Sequence, residues 1–115
     1  MKITRLHTGN DGESHFEEIE VEFKSIGNAE TSSLQEATGI VFRRAPAGHV
    51  QQWHPAPRRQ YVITLSGQAE IEIGDGTKRC FGPGDIMLAD DTTGRGHVTR
   101  VVGNKPRVYV TIAMR

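Results

Sequence analysis

Alternation of apolar and polar residues with a period of two is the feature that most restricts how this chain can fold. In the segment FEEIEVEF, residues 16–23, the apolar side chains Ile19, Val21 and Phe23 alternate with glutamates. Successive side chains of a strand point to opposite faces of a sheet, so this pattern predicts a strand buried on one face. The same period predicts strands at residues 39–45, 60–66, 69–73, 77–81, 85–89, 97–102 and 107–114.

Short stretches rich in glycine separate the predicted strands. They are Ser66-Gly67, Gly74-Asp75-Gly76, Gly82-Pro83-Gly84, Gly94-Arg95-Gly96 and Gly103-Asn104-Lys105-Pro106. Glycine and aspartate tolerate the positive φ of tight turns, so residues 74–76 predict a hairpin. No segment keeps a period of 3.6, and only residues 31–37 could form one or two helical turns. The sequence therefore predicts one all-β domain, residues 1–115, built as a sandwich or barrel.

Composition and charge exclude several classes of function. Fourteen Lys and Arg balance fourteen Asp and Glu, so nothing indicates a nucleic acid or an anionic membrane as partner. The single cysteine, Cys80, excludes an internal disulfide framework and a cluster of thiolate metal ligands. No segment has the apolar length of a secretory leader or a membrane span, and we therefore expect a cytoplasmic protein.

Two of the five histidines stand out by their position. His54 and His97 each lie where a loop bearing glycine or proline meets a segment of period two. Such junctions at one end of a β-barrel converge on its mouth, where barrels bind ligands. The remaining three lie in or beside turns; we expect His7 and His15 to be exposed, whereas His49 could face either way.

The residues around these two histidines resemble the two motifs of the cupin superfamily. The first motif, Gly-x5-His-x-His-x3-4-Glu-x6-Gly, resembles residues 48–67: Gly48, His54 and Gly67 match, Ala56 replaces the second histidine and Gln60 the glutamate. The second motif, Gly-x5-Pro-x-Gly-x2-His-x3-Asn, resembles residues 84–101: Gly84, Gly94 and His97 match, whereas Thr92 replaces the proline and Val101 the asparagine. The loop after Gly84 is longer than the motif by two residues.

This resemblance implies a single-domain cupin, a jelly roll or double-stranded β-helix of about nine to eleven strands with its site between the sheets. Cupins typically hold a divalent metal with two histidines and a glutamate of the first motif and a histidine of the second. In this chain the implied ligands reduce to His54, Gln60 and His97, two imidazoles and an amide oxygen. The implied ion is iron, manganese, nickel or zinc, bound less tightly than by a set that includes a carboxylate.

The pocket around the ion is expected to include Trp53, Ala56, Val62, Thr64 and Thr99. For Trp53, simple packing on the barrel wall is the alternative interpretation.

Other polar residues near the motifs have two interpretations each. Asp90 or Asp91, in the lengthened loop, could supply a carboxylate ligand or belong to a solvated turn. Arg58 or Arg59 could hold an anion on an incoming ligand or extend into solvent.

The sequence predicts a small cupin that binds a divalent metal in its barrel and binds or acts on a small organic metabolite. The alternatives are a metal-free binding or sensor module and a structural cupin without catalytic activity. Whether the chain is an enzyme stays open, because this fold hosts many reactions.

The strand at residues 60–66 also predicts a homodimer. Its inward face is expected to carry Val62 and Thr64 beside Ile71 and Ile73, with Glu70 and Glu72 in water. Its other face carries Tyr61, Ile63 and Leu65, and a strand that is apolar on both faces needs cover on both.

Overall fold

The structure, a computed structural model that describes residues 1–115, consists of strands and turns without a helix. In chain order the strands are β1 (Lys2–Thr8), β2 (Ser14–Glu20), β3 (Lys24–Ile26), β4 (Ala29–Thr31), β5 (Ala37–Ala45), β6 (Val50–His54), β7 (Gln60–Ser66), β8 (Gln68–Glu72), β9 (Lys78–Phe81), β10 (Ile86–Asp90), β11 (His97–Val102) and β12 (Arg107–Met114). The chain therefore has no helix that is long and apolar enough to cross a membrane. The predicted all-β fold is confirmed.

Two sheets and a separate hairpin contain all the strands. The larger sheet has the order β2-β1-β10-β7-β12-β5, the smaller sheet has the order β6-β11-β8-β9, and β3 pairs with β4 alone. β1 runs parallel to β10, whereas every other pair is antiparallel. Consecutive segments pass between the two sheets, for example from β5 to β6 and from β7 to β8. This arrangement is the double-stranded β-helix.

The hydrophobic core lies between the two sheets. Leu6, Val62 and Met87 reach it from the larger sheet, and Ile71 and Phe81 from the smaller one. Leu6 and Ile71 are 0% and 2% exposed. Because alternate residues of each strand point inward, the period of two in the sequence becomes a single buried layer.

The inward face predicted for the paired strands is buried as expected. Ile73 and Thr64 join Val62 and Ile71 among the buried residues. The outward face of β8 differs from the prediction, because Glu70 and Glu72 are only partly exposed. Arg100 of β11 covers them, with Nη1 3.4 Å from Glu70 Oε1 and 2.7 Å from Glu72 Oε1.

Some elements were missed or misplaced by the sequence pattern. Twelve strands are present rather than nine to eleven, and β1, β3, β4 and β6 were not predicted. In β1 the buried residues Ile3 and Leu6 are three apart, so no alternation is visible, and β3 and β4 are exposed segments of three residues. The helical turns considered for residues 31–37 are absent, since β4 ends at Thr31 and β5 begins at Ala37. β2 ends at Glu20, which leaves Phe23 42% exposed.

The outer face of the larger sheet is apolar across β7, β12 and β5. The register places Ile112 between Tyr61 and Ile40, and Val110 between Ile63 and Phe42. Gln35 covers part of this face, and its Oε1 accepts a hydrogen bond of 2.6 Å from Tyr61 Oη. Uncovered apolar side chains remain, with Ile40 56%, Leu65 52% and Phe42 75% exposed. The homodimer stays a prediction.

Candidate functional site

A cavity of about 150 Å³ lies between the sheets and opens to solvent. Residues of both sheets line it, and so does the segment that leads into β7. Six residues singled out from the sequence are in its wall: His54, Ala56, Gln60, Val62, His97 and Thr99. The fold thus brings the two motif regions to one enclosed space.

Two residues expected in the pocket lie outside the cavity wall. Trp53 is 36% exposed, and the guanidinium of Arg95 lies 4.0 Å from the centre of its ring. Thr64 is buried at 1% exposure, where its Oγ1 accepts hydrogen bonds from Arg107. Thr64 therefore supports a residue of the cavity wall without being part of that wall itself.

A β-bulge explains the position of Trp53. His54 pairs with His97, but Gln51 pairs with Thr99, so Gln52 and Trp53 both lie opposite Val98. The extra residue changes the alternation of faces in β6. As a result Gln51 and His54 both line the cavity although they are three apart, and Trp53 does not.

His54 and His97 are neighbours across the pair β6–β11. Their ring centroids are 4.5 Å apart, and the ring planes make an angle of 56°. Gly96 permits this approach, because a Cβ at this position would overlap the carbonyl group of His54. Its φ of 80° is also one that L residues with a side chain rarely adopt. A glycine at an unspecified position of the second motif therefore allows the two histidines to come together.

The backbone of Gln52 fixes the protonation of His54. The ring Nδ1 lies 2.6 Å from the carbonyl oxygen of Gln52, which can only accept, so Nδ1–H donates. Burial lowers the pKa of His54 below its ordinary value of 6.5. The imidazole is therefore neutral near pH 7, and its Nε2 keeps a lone pair for a ligand.

A buried carboxylate orients the ring of His97. Asp91 Oδ2 lies 2.6 Å from His97 Nδ1 and accepts a second hydrogen bond of 2.7 Å from Ser14 Oγ. Asp91 is 0% exposed and His97 is 5% exposed. The backbone oxygen of Asp91 also accepts from Ala56 N at 2.9 Å, which ties the two motif regions together. A carboxylate that orients a histidine in this way is common behind metal ligands.

The two acidic residues of the lengthened loop therefore have roles that the sequence did not indicate. Asp91 is neither a cavity ligand nor part of a solvated turn, because the folding of β2 places Ser14 against it. Asp90 forms ion pairs with Arg5 at 2.9 Å and with Arg59 at 3.6 Å. Neither Arg58 nor Arg59 lines the cavity.

Gln60 lines the cavity and carries a buried acceptor that is unpaired. It begins β7 and is 7% exposed, yet its buried Oε1 has no hydrogen-bond partner. Leaving such an acceptor unsatisfied costs on the order of 1–3 kcal/mol. A cation or a hydrogen-bond donor on a bound molecule would remove that cost.

Three residues of the cavity wall therefore carry candidate acceptors: Nε2 of His54, Nε2 of His97 and Oε1 of Gln60. No group of three or more His, Cys, Asp or Glu side chains is placed to hold a metal ion. An ion at this site therefore depends on Gln60 as its third protein ligand. Imidazole nitrogen and amide oxygen are both suitable ligands for divalent first-row metals, so the donor set fits such an ion. Ala56, where the motif has a histidine, contributes only a buried methyl group.

Two arginines complete the polar wall and were not recognised in the sequence. Arg43 of β5 and Arg107 of β12 both line the cavity. A signal for Arg107 existed, since it shares the period of two with Tyr109 and Thr111, which also line the cavity.

Comparisons with known proteins agree with this architecture. No family model and no curated protein matches the chain. Among solved structures it is similar to an uncharacterized conserved protein with a double-stranded β-helix domain from Klebsiella pneumoniae, with 25% identity, a TM-score of 0.54 and coverage of 71% of this chain and 67% of that one.

Two more distant structures show the same fold. An RmlC-like cupin from Methanocaldococcus jannaschii is 13% identical, with a TM-score of 0.56 over 84% of this chain and 91% of that one. The Cnp3 cupin domain of Schizosaccharomyces pombe is 14% identical, with a TM-score of 0.54 over 99% of this chain and 84% of that one. Together with the sheet topology, these similarities show that the chain has the fold of a small cupin domain.

Proposed function

We propose that this small cupin binds one divalent metal ion in its barrel and there binds or acts on a small organic metabolite. The observation that supports the proposal is that His54, Gln60 and His97 line one cavity and each carries an acceptor atom without a donor in the protein. His54, Gln60 and His97 would hold the ion, which would be iron, manganese, nickel or zinc. A bound ion would supply a Lewis acid for an oxygen of the metabolite.

The residues around the three ligands have defined parts in this proposal. Asp91 and the carbonyl of Gln52 hold the Nδ1–H groups, so that each imidazole offers Nε2 as a lone pair. Val62, Ile71 and Met87 give the cavity an apolar wall that excludes water from the carbon part of a metabolite. The three ligands are neutral, so the only negative charge next to them is the Asp91 carboxylate behind His97, and further balance of the ion's charge depends on what enters the cavity.

A metal-free binding module is the second candidate, and the same observation supports it. A hydroxyl or amide group of an organic ligand could donate to Gln60 Oε1 or to an imidazole nitrogen. A purely structural cupin has less support, because side chains do not fill the cavity of about 150 Å³.

Metal titration of the untagged protein tests the proposal. After treatment with a chelator, the protein is titrated by calorimetry with Zn²⁺, Ni²⁺, Mn²⁺ and, without oxygen, Fe²⁺. We expect one ion per chain for at least one metal, and loss of that binding in His54→Ala and in His97→Ala. His49→Ala is the matched control and should bind as the wild type does, since His49 lies on the exposed turn between β5 and β6.

The outcomes separate the candidate functions. Binding of a metal that survives both substitutions in the cavity would place the ion elsewhere and contradict the proposed ligands. No stoichiometric binding of any of the four metals would contradict the metal site, and the metal-free module would then be the better description.

A further inference from the structure

Arg107 is the feature of the cavity that a metal ion does not explain. The residue is 4% exposed and lines the cavity. Its Nε and Nη2 lie 3.3 and 3.0 Å from Thr64 Oγ1, and its guanidinium carbon lies 4.0 Å from the centre of the Tyr109 ring. A neutral hydroxyl and an aromatic ring are thus its partners.

Arg107 has no counter-charge within the protein. The arginines that form ion pairs are Arg5, Arg59, Arg95, Arg100 and Arg115. Burial lowers the pKa of Arg107, which reflects the unfavourable removal of its charge from water. Charged groups are rarely buried without a partner of opposite charge, so this one indicates a ligand that brings the charge.

Arg43 adds a second unpaired cation to the same wall. It pairs with Tyr109 across β5–β12, lines the cavity and takes part in no ion pair or side-chain hydrogen bond. No aspartate or glutamate lines the cavity, so nothing in the wall balances these two charges.

We infer that the cavity binds a small organic monocarboxylate, with its carboxylate group held by Arg107 and Arg43. This inference names the class of the metabolite and rests on the proposed function only in placing it in the same cavity. Thr64 occupies the Nε edge of the Arg107 guanidinium. The edge formed by its two terminal nitrogens stays available, and two parallel N–H groups suit a planar carboxylate.

The size and lining of the cavity restrict the rest of the ligand. A volume of about 150 Å³ is comparable to cavities that hold benzene. Val62, Ile71 and Met87 offer an apolar wall to the carbon part of the molecule. A short-chain or single-ring carboxylate fits this description, whereas a nucleotide or a long acyl chain does not.

Binding of model carboxylates to metal-stripped protein tests the inference. The probes are butyrate and benzoate, their neutral amides butyramide and benzamide, and inorganic phosphate, each titrated by calorimetry or by amide NMR shifts. We expect saturable binding of at least one carboxylate, at least about tenfold weaker binding of its amide, and weaker binding of phosphate.

Substitutions of the arginines locate the bound group. Arg107→Gln removes the charge but keeps a donor for Thr64 Oγ1, and it should weaken carboxylate binding at least about tenfold. Its thermal midpoint without ligand should equal or exceed that of the wild type, because an unpaired buried charge is lost. Arg43→Gln should also weaken carboxylate binding. Because Arg43 lies on an exposed strand, this variant provides the test if Arg107→Gln does not fold. Arg100→Gln is the matched control and should leave binding unchanged, since Arg100 pairs with Glu70 and Glu72 outside the cavity.

Several results would overturn the inference. They are equal binding of acid and amide, tighter binding of phosphate than of any carboxylate, and unchanged carboxylate binding in Arg43→Gln or Arg107→Gln. Since the protein is metal-free in these measurements, the carboxylate binding can be interpreted even if the proposed metal site is wrong. A stoichiometric metal without carboxylate binding would retain the proposed metal site and reject the inferred metabolite.

Discussion

Asp91 Oδ2 and His97 Nδ1 lie 2.6 Å apart, and both residues are buried. The carboxylate accepts a hydrogen bond from Nδ1–H of His97, a residue that also lines the cavity. Ser14 Oγ donates to the same carboxylate oxygen, so three distant segments of the chain converge behind one candidate ligand. This arrangement gives a direct test of whether His97 works as a nitrogen donor.

Asp91→Asn should weaken both the metal site and the fold. The amide cannot replace the charged acceptor for His97 and Ser14 together, so we expect a loss of about 1–3 kcal/mol in the free energy of unfolding and roughly 10–100-fold weaker metal binding. Urea unfolding and calorimetric metal titration measure the two effects. Asp90→Asn is the neighbouring control, with no change in metal affinity, because Asp90 pairs with Arg5 and Arg59. Equal metal affinity in Asp91→Asn and the wild type would show that Asp91 does not position His97.

Gln60→Glu should strengthen metal binding. The substitution adds a carboxylate to the two imidazoles at nearly constant shape, and we expect an affinity increase of at least about tenfold for Zn²⁺ or Ni²⁺. Without metal the same variant should be less stable than the wild type, since a carboxylate replaces an amide that is 7% exposed. Thermal unfolding without metal measures the loss of stability, and the increase of the thermal midpoint on adding metal measures the gain in metal binding. A variant that binds metal no better than the wild type would exclude Gln60 from the ligand set.

Gly96→Ala should disrupt the approach of β6 to β11 that pairs the histidines. Gly103 is the matched control, because it has a φ of 84° similar to the 80° of Gly96, but open space around a Cβ. Gly103→Ala should cost about 1–2 kcal/mol for the left-handed backbone alone. In Gly96→Ala the overlap with the His54 carbonyl adds to this cost. We therefore expect its free energy of unfolding in urea to fall by at least about 2 kcal/mol more than that of Gly103→Ala. Equal losses would mean that the close approach is not required.

The pH dependence of stability should carry a contribution from His54 in the metal-free protein. Burial lowers its pKa in the folded state below 6.5, so in the interval beneath 6.5 the unfolded chain binds a proton there and the folded chain does not. Stability rises with pH wherever the unfolded state binds more protons. The free energy of unfolding should therefore fall as the pH drops below about 6.5. His54→Gln should reduce this fall in the free energy of unfolding below pH 6.5. An unaltered dependence on pH would show that His54 does not cause it.

Phe42→Glu should prevent dimer formation. The wild type is predicted to form a homodimer that covers the outer face of the larger sheet, where Phe42 is 75% exposed. A charge at this position would have to be buried in such an interface, which is unfavourable. Sedimentation or light scattering at micromolar concentration gives the mass. Val50→Glu, on the smaller sheet and 42% exposed, is the control and should remain dimeric. A monomeric wild type would contradict the prediction.

The sequence predicted those strands whose alternate residues face the core and the solvent. β7 shows that alternation clearly, and its bounds, like those of β12, agree with the predicted ones. β1 could not be found in this way, because its buried residues Ile3 and Leu6 do not alternate. The short exposed strands β3 and β4 have no buried face and therefore no pattern.

The site was predictable where the motif residues lie on neighbouring strands. His54 and His97 are related in this way, on β6 and β11, whereas Gln60 reaches the same cavity from β7 of the other sheet. Asp91 could not be assigned, since its burial depends on Ser14, 77 positions away in the chain. Whether an aspartate in a polar loop is exposed or buried depends on such distant contacts and not on its local sequence. The missing counter-charge of Arg107 likewise appears only when all neighbours of its guanidinium are known.

The bulge in β6 has a consequence for how the length of this strand can vary. Gln52 and Trp53 both lie opposite Val98, and the carbonyl oxygen of Gln52, within this bulge, lies 2.6 Å from Nδ1 of His54. A strand shortened by one residue here would still direct that histidine inward, but it would lose the carbonyl that decides which nitrogen carries hydrogen. The ring could then turn its N–H toward the cavity and repel a cation. One additional residue in the edge strand β6 thus determines whether the His54 nitrogen that faces the cavity donates or accepts a hydrogen bond.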